Sequence, residues 1–167
     1  MKSRQSSPPE YRALRQRLSL RDEFTLAMLP TATVLIVFAF VEVLSQQRLL
    51  FASLASSAFL IYLDPQHGMN SARTLLVAQL SAATLGFVID VLLGPGYLAG
   101  GLAMILTITL MILLDAMHPP AISTSLSFAF RAAGVSNLLL FGLAVGVTVV
   151  LLFLERSAEW LLARRVT

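Results

Sequence analysis

Apolar residues fill six segments of the chain, separated by short polar stretches or by glycine and proline. The segments are residues 24–44, 49–63, 74–93, 98–114, 121–130 and 137–154. An α-helix rises about 1.5 Å per residue, so about 20 apolar residues cross the roughly 30 Å hydrocarbon core of a bilayer. The first segment has 21 residues, whereas the second has 15 and the fifth has 10. The pattern predicts an all-α helical bundle with four to six membrane segments, two of them short.

The order of long and short segments repeats along the chain. A long, a short and a long segment occur in succession twice, and the two short members contain similar stretches, SSAFLIY at 56–62 and TSLSFAF at 124–130. The pattern is consistent with an internal 3+3 repeat. Short or interrupted segments at corresponding positions of two halves point to the binding site of a transporter.

The composition places these segments in a membrane. Apolar residues make up 57% of the 167-residue chain and charged residues 13%, whereas a soluble domain is about half apolar and about a quarter charged. The length fits one domain. The chain has no cysteine, which excludes disulfides and thiolate metal sites.

Charged residues are concentrated at the two ends of the chain. Residues 1–23 contain six basic and three acidic residues and no apolar core, so they do not resemble a secretory signal peptide. The tail at 155–167 adds Arg156, Arg164 and Arg165, with Trp160 as an expected interface anchor. Basic flanks favour the cytoplasmic side and bind anionic lipid. We therefore expect a membrane domain at 24–154 between two cytoplasmic ends, an even number of crossings, and residence in a cell membrane such as the bacterial inner membrane.

One interruption of the apolar pattern carries most of the polar chemistry. The run LMILL meets DAMHPP at 115–120 and continues as AISTSL. Proline disrupts a helix interior but fits the first turn, so Pro119 and Pro120 predict a helix that restarts in or just after them. Non-helical backbone at membrane depth is tolerated where protein packs around it or where it lines a watery cavity. The break is therefore a candidate functional feature.

The stretch HPPAISTSL at 118–126 resembles the signature of the HPP family of integral membrane proteins. The resemblance extends over roughly residues 45 to 155. It implies a four-spanning membrane fold, and some photosynthetic members of the family are implicated in nitrite transport. A fold shared with a family does not by itself fix the substrate.

Upstream positions carry further parts of the family pattern. In ASSAFLIYLDP at 55–65, Ser57, Ala58 and Pro65 match a Gly-Ala-Ser-Ala stretch followed by proline, and Ser56 replaces an alanine. The family then shows Arg-Asn, a Gly-Gly-His and, seven residues later, a glycine. Here Arg73 and Gly86 fit, while Thr74 replaces the asparagine and VAQ at 77–79 replaces the Gly-Gly-His.

The candidate substrate path comprises the polar and proline residues around the break and those near the matching motifs. They are His118, Pro119, Pro120, Ser123, Thr124, Asp115, Arg73, Ser56 and Ser57. Each has a structural alternative. The histidine can cap a helix, the arginine can extend its charged end to the interface, and the hydroxyl residues can serve close helix packing.

The remaining chemistry of the sequence is sparse. It contains no HExxH metal motif, no GxSxG elbow and no glycine-rich phosphate loop, so we expect no enzyme, no cofactor and no metal site. The basic residues flank membrane segments rather than forming a recognition face, so we expect no nucleic-acid partner. We expect a transporter or channel for a small solute, with an inorganic anion such as nitrite as the leading substrate. The alternative is a non-transporting membrane scaffold or sensor subunit. Beyond the lipid bilayer and the anion, a homo-oligomeric partner is left open.

Overall fold

The computed structural model describes residues 48–165 apart from 65, 132 and 133, together with positions 24, 28, 31, 32 and 35. Those five isolated positions are helical and exposed. The expected N-terminal segment at 1–23, most of the first apolar segment and residues 166–167 lie outside the described residues.

Helices are the only regular secondary structure among the described residues. Its elements are α1 (Arg48–Leu63), a 3-10 helix (Gly68–Asn70), α2 (Ala72–Leu93), α3 (Tyr97–Leu113), α4 (Ala121–Ala129) and α5 (Asn137–Arg165). Two helices, Ala72–Leu93 and Asn137–Ala158, are long and apolar enough to cross a bilayer, and Leu49–Leu63 and Tyr97–Leu113 are shorter apolar helices. The predicted all-α bundle with short members is confirmed. Helix α5 continues beyond the apolar run that ends at 154, because ERSAEWLLARR consists largely of good helix formers.

Local chemistry explains where the helices end. The Ser71 side chain accepts a hydrogen bond from the backbone N–H of Thr74 and caps the start of α2. Gly94, with φ of 74°, ends the same helix. The Gly94-Pro95-Gly96 turn then leads directly into α3, as the glycine and proline content predicts.

The break between α3 and α4 has a defined geometry. Asp115 has a left-handed φ of 48°. Its N–H donates to the Ile112 carbonyl (3.2 Å), and the Ala116 N–H donates to the Met111 carbonyl (2.9 Å). These two bonds form a Schellman C-terminal motif, with aspartate at the position where glycine is usual. Helix α3 is therefore closed by its own backbone before the prolines begin.

The prolines lie just before the first turn of α4, as predicted. Pro120 is the N-cap residue, and the Ala121 N–H donates to the His118 carbonyl (2.9 Å). Asp115 and His118 do not lie on one helical turn. The backbone from Ala116 to His118 is not helical, because the left-handed residue redirects the chain.

Helix α4 lies at the centre of the bundle and packs against α1, α2 and α3. Small side chains permit this close approach. Ala78, Ala82, Met111 and Ala121 form one buried cluster between α2, α3 and α4. A second cluster of the same three helices contains Ile89, Ala99, Ala103 and Ala129. Large apolar side chains face outward, as expected for lipid contact, and include Val91, Leu92, Leu98, Ile105, Leu113 and Phe153.

The helix pairs that pack together match those of the predicted 3+3 repeat. Helices α1 and α4 are the second members of the two halves, and they contact each other. The third members, α2 and α5, also contact each other, and the α2–α4 contact has its counterpart in the α5–α1 contact. The 3+3 repeat itself stays a prediction, because most of the first segment lies outside the described residues.

Two sets of contacts define the ends of the bundle. At one end, called the Arg73 end, the Arg73 guanidinium bonds the carbonyls of Leu114 and Asp115. At the other, called the Gly96 end, the Gly96 N–H donates to the Ala129 carbonyl (3.0 Å). Helix α2 connects these ends, and so does the segment 114–129. Helix α4 has only nine residues, or about 14 Å of helix. The non-helical residues 114–120 before it supply the rest of the length that segment 114–129 spans.

Candidate functional site

His118 is held in the interior of the molecule by contacts to two other parts of the chain. Its Nε2 lies 2.8 Å from the Ser57 hydroxyl on α1, and its Nδ1 lies 3.1 Å from the Met69 carbonyl. A carbonyl can only accept, so Nδ1 carries a proton. In the neutral ring, Nε2 then accepts the hydrogen bond that Ser57 donates. The side chain is fully buried, and it joins α1, the α1–α2 connection and the start of α4.

One helical turn deeper on α1, three side chains from three helices form a closed ring of hydrogen bonds. Gln79 Nε2 on α2 lies 3.1 Å from Ser53 Oγ on α1. Thr124 Oγ1 on α4 lies 2.9 Å from Ser53 Oγ and 2.6 Å from Gln79 Oε1. Because the Gln79 oxygen can only accept, Thr124 donates to it and Ser53 donates to Thr124. Each member of the ring therefore donates one bond and accepts one.

Together these side chains form what we call the polar column, which comprises Ser53, Ser57, Gln79, His118 and Thr124. Each has 0% exposed surface. They come from α1, α2, α4 and the break, and they carry hydroxyl, amide and imidazole groups without a carboxylate. Burying a polar group costs free energy unless it is hydrogen-bonded. The column meets that requirement through its internal bonds and the bond from His118 to the Met69 carbonyl.

Some predicted site residues do not join the column. Ser56 is exposed and donates back to the Ala52 carbonyl (2.7 Å). It therefore lies on the opposite face of α1 from Ser57. Asp115 and Pro119 are exposed as well, whereas Pro120 is buried and Ser123 is half-buried. Of the predicted candidates, the structure places His118, Ser57 and Thr124 in one site.

Arg73 binds backbone rather than another side chain in this conformation. Its Nη1 donates to the Asp115 carbonyl (3.2 Å) and its Nη2 to the Leu114 carbonyl (3.1 Å). These carbonyls end α3, where the helix dipole places partial negative charge that a cation stabilises. The residue is exposed. Arg73 thus caps the break and also leaves positive charge at that end of the bundle.

A buried ion pair lies at the Gly96 end. Arg131 Nε is 3.3 Å from Asp90 Oδ2, and the Asp90 side chain is completely buried while that of Arg131 is 26% exposed. Neither Asp90 oxygen nor Arg131 Nε has a hydrogen-bond partner. The Arg131 Nη1 donates to the Val135 carbonyl (2.6 Å). No local pattern in the sequence predicts that these two residues pair.

Two members of the column, Ser53 and Gln79, were absent from the predicted site. The sequence does contain a signal for each. Ser53 precedes Ser57 by four residues, and side chains four apart lie on the same face of a helix. Gln79 is an amide in the middle of an apolar segment, where polar side chains usually turn towards the protein interior.

The comparison with protein families agrees with the membrane fold. No curated protein and no solved structure matches the chain significantly. The family described as "HPP, transmembrane region" matches residues 15–158, which cover most of the 167 residues. The match includes the starts of α1 to α5 and all five residues of the polar column. The chain is therefore an integral membrane protein that belongs to the HPP transmembrane-region family.

Proposed function

We propose that this protein is a membrane transporter or channel for a small solute, and that the solute is an inorganic anion such as nitrite. The observation that carries the proposal is the polar column. Five polar side chains are buried together inside an apolar bundle, next to the non-helical backbone that separates α3 from α4. Interrupted segments near the middle of a membrane domain are typical of transport sites.

The chemistry of the column favours an anion over a cation. Hydroxyl, amide and imidazole N–H groups can all donate to an oxyanion. Acidic side chains that would hold a cation are absent from the column, and the arginines of the described chain at 73 and 131 lie towards its two ends. Such a path would attract an anion electrostatically and then bind it through neutral donors.

Transport requires the column to open. In the present conformation its members satisfy one another and are fully buried. A hydrogen bond exchanged for another changes the free energy little, because a typical bond contributes only about 1 kcal/mol net. A solute that replaces the Thr124–Gln79 bond with bonds to itself can therefore enter at small cost once α4 moves relative to α2.

The proposed topology has six crossings with both ends in the cytoplasm of a bacterial cell. The segment 114–129 runs from the Arg73 end to the Gly96 end, in the same direction as α2. Such a segment acts as a full crossing rather than a re-entrant loop. Basic residues at both termini favour the cytoplasmic side.

A second candidate function is that of a non-transporting membrane scaffold or sensor subunit. The observation that favours it is the closed ring of hydrogen bonds among Ser53, Gln79 and Thr124. Such a ring can fix the register of three helices without binding any solute.

Flux through proteoliposomes distinguishes the two functions. Purified protein is reconstituted, and uptake of nitrite is measured against protein-free liposomes, which correct for leakage of the free acid. Thr124→Val removes the donor to Gln79 and should lower uptake about tenfold or more, since an unsatisfied buried group costs about 1–3 kcal/mol. Thr124→Ser should retain most of it.

The chain offers a matched control for this substitution. Thr109 on α3 is exposed, and its hydroxyl bonds only the Ile105 carbonyl of its own helix (2.8 Å). Thr109→Val should leave uptake unchanged. Absence of solute-dependent uptake by the wild type, with nitrite and with other small anions, would refute transport and leave the scaffold function.

A further inference from the structure

The Asp90–Arg131 pair is not built like a stabilising ion pair. The closest approach, 3.3 Å from Arg131 Nε to Asp90 Oδ2, lacks hydrogen-bond geometry, and both carboxylate oxygens have no hydrogen-bond partner. A buried ion pair offsets the cost of desolvation only when geometry is good and further hydrogen bonds satisfy the remaining atoms. A carboxylate that is fully buried with neither oxygen bonded is therefore unusual in a purely structural role.

Arg131 is the accessible member of the pair. Its side chain is 26% exposed while that of Asp90 is fully buried. The Val135 carbonyl holds one guanidinium nitrogen (2.6 Å), which fixes the side chain at the Gly96 end. A solute arriving at this end meets the guanidinium before it meets the carboxylate.

The surroundings bring few other charges to this site. Among residues with described side chains, Tyr97 on α3 is the other titratable group at the Gly96 end. Its ring packs edge-on against Phe130 with centroids 5.5 Å apart. Helix α4 ends beside the pair with Ala129, and the cluster of Ile89, Ala99, Ala103 and Ala129 makes the surroundings apolar. Asp90 and Arg131 are therefore each other's main charged neighbour among the described residues.

We propose that Arg131 binds the transported anion at the Gly96 end, that Asp90 occupies this position when the anion is absent, and that anion binding is coupled to protonation of Asp90. The inference rests on the proposed anion transport and adds its binding residue and its coupling ion. An anion that displaces Asp90 leaves the carboxylate buried and unpaired, which is strongly unfavourable. A proton from water on the same side neutralises it.

The charges of this exchange balance. Before binding, the guanidinium (+1) and the carboxylate (−1) sum to zero. After binding, the guanidinium pairs with the anion and the carboxyl is neutral, so the site again sums to zero. One proton is taken up for each monovalent anion bound, and the protein therefore performs proton-coupled anion transport.

Proton uptake on anion binding tests the inference without requiring transport. Wild-type protein in detergent, in weakly buffered solution with a pH-indicator dye, is titrated with sodium nitrite, and sodium gluconate controls for ionic strength. Thermal stabilisation reports binding in the same samples. We expect the wild type to take up about one proton per bound anion. Asp90→Asn should bind nitrite without proton uptake and with an affinity that does not change with pH.

Arg131→Gln should weaken nitrite binding about tenfold or more, because a hydrogen bond to a charged group contributes about 1.5–3 kcal/mol. The double variant Asp90→Asn/Arg131→Gln removes both charges, so it leaves no unpaired buried charge and checks that lost binding does not reflect misfolding. Asp64→Asn is a matched control, since it removes an exposed carboxylate at the opposite end.

The outcomes separate this inference from the proposed function. Nitrite binding with proton uptake but without flux in proteoliposomes would support the anion site and refute transport. Flux in the wild type, combined with wild-type proton uptake by Asp90→Asn, would overturn the coupling while transport stands. A wild-type protein that binds no nitrite, or binds it without taking up protons, would also overturn the inference.

Discussion

Replacement of Gly86 by alanine tests whether the close approach of α2 to α4 holds the polar column together. A Cβ atom at this position would lie 2.6 Å from Phe128 Cδ2, 2.6 Å from the Ser125 carbonyl oxygen and 3.0 Å from Ser125 Cα. Two of these three atoms belong to the backbone of α4, which cannot turn aside as a side chain can. Ordinary contact would require α4 to move outward by about 0.8 Å.

The displacement would fall directly on the ring of hydrogen bonds. Thr124 precedes Ser125 on α4, and its bond to Gln79 measures 2.6 Å. An outward shift of this size takes the bond beyond the range of about 2.5–3.0 Å usual for hydroxyl donors. Overpacking costs about 1–3 kcal/mol, and alanine regains about 1 kcal/mol of helix propensity. Because the clash is with backbone, we expect a net loss of about 2 kcal/mol and reduced anion uptake.

The assay compares Gly86→Ala with Gly101→Ala in detergent and in proteoliposomes. Gly101 is a helical glycine on α3 that is exposed and has nothing within 4 Å of the added carbon. We expect Gly101→Ala to be at least as stable as the wild type, because alanine has the higher helix propensity, and to match its uptake, whereas Gly86→Ala should melt several degrees lower. Equal melting temperatures and uptake for the two variants would refute the idea that the α2–α4 contact is at its limit.

Four further predictions concern the break and the topology. A double-mutant cycle of Ser57→Ala and His118→Gln in mixed-micelle denaturation should give a coupling of about 1 kcal/mol, because the two side chains share one buried hydrogen bond; purely additive effects would contradict the contact. Pro119→Ala/Pro120→Ala should abolish uptake in a protein that still inserts, and unchanged uptake would remove the break from the mechanism. Arg73→Gln should lower uptake more than Arg73→Lys, which keeps a cation at the end of α3; equal uptake would reduce Arg73 to an interface anchor. A single cysteine at position 67 should be labelled only from the cytoplasmic side if the chain crosses six times, and labelling only from outside would support four crossings.

The helices themselves could be predicted from the sequence. Apolar runs separated by glycine and proline located α1 to α5 closely, and the two prolines located the start of α4. These signals are local, because proline chemistry and segment length act on the backbone where they occur. The end of α5 could not be placed in this way, since the polar residues after 154 are also good helix formers.

The site could be predicted only in part, because both faces of a membrane helix are apolar. The periodic polar stripe that orients a helix in a soluble protein is then missing. Ser56 and Ser57 are equivalent in the sequence, yet only Ser57 faces the column. Ser53 and Thr124 are 71 residues apart in sequence. Their contact depends on how α1 and α4 are rotated and shifted relative to each other along their axes. The left-handed backbone at Asp115 could not be predicted from the sequence either, because glycine rather than aspartate is the usual residue at that position.

The shortness of α4 has a consequence for how the protein is assembled in the membrane. Isolated helices below about 12–15 residues are marginal, and a crossing helix is recognised by about 18 or more apolar residues. With nine residues, α4 cannot enter the bilayer as an independent unit. We expect the longer helices α2 and α5 to insert first and α4 to become helical as it packs against α1, α2 and α3. The central helix is then the last part of the bundle to be completed.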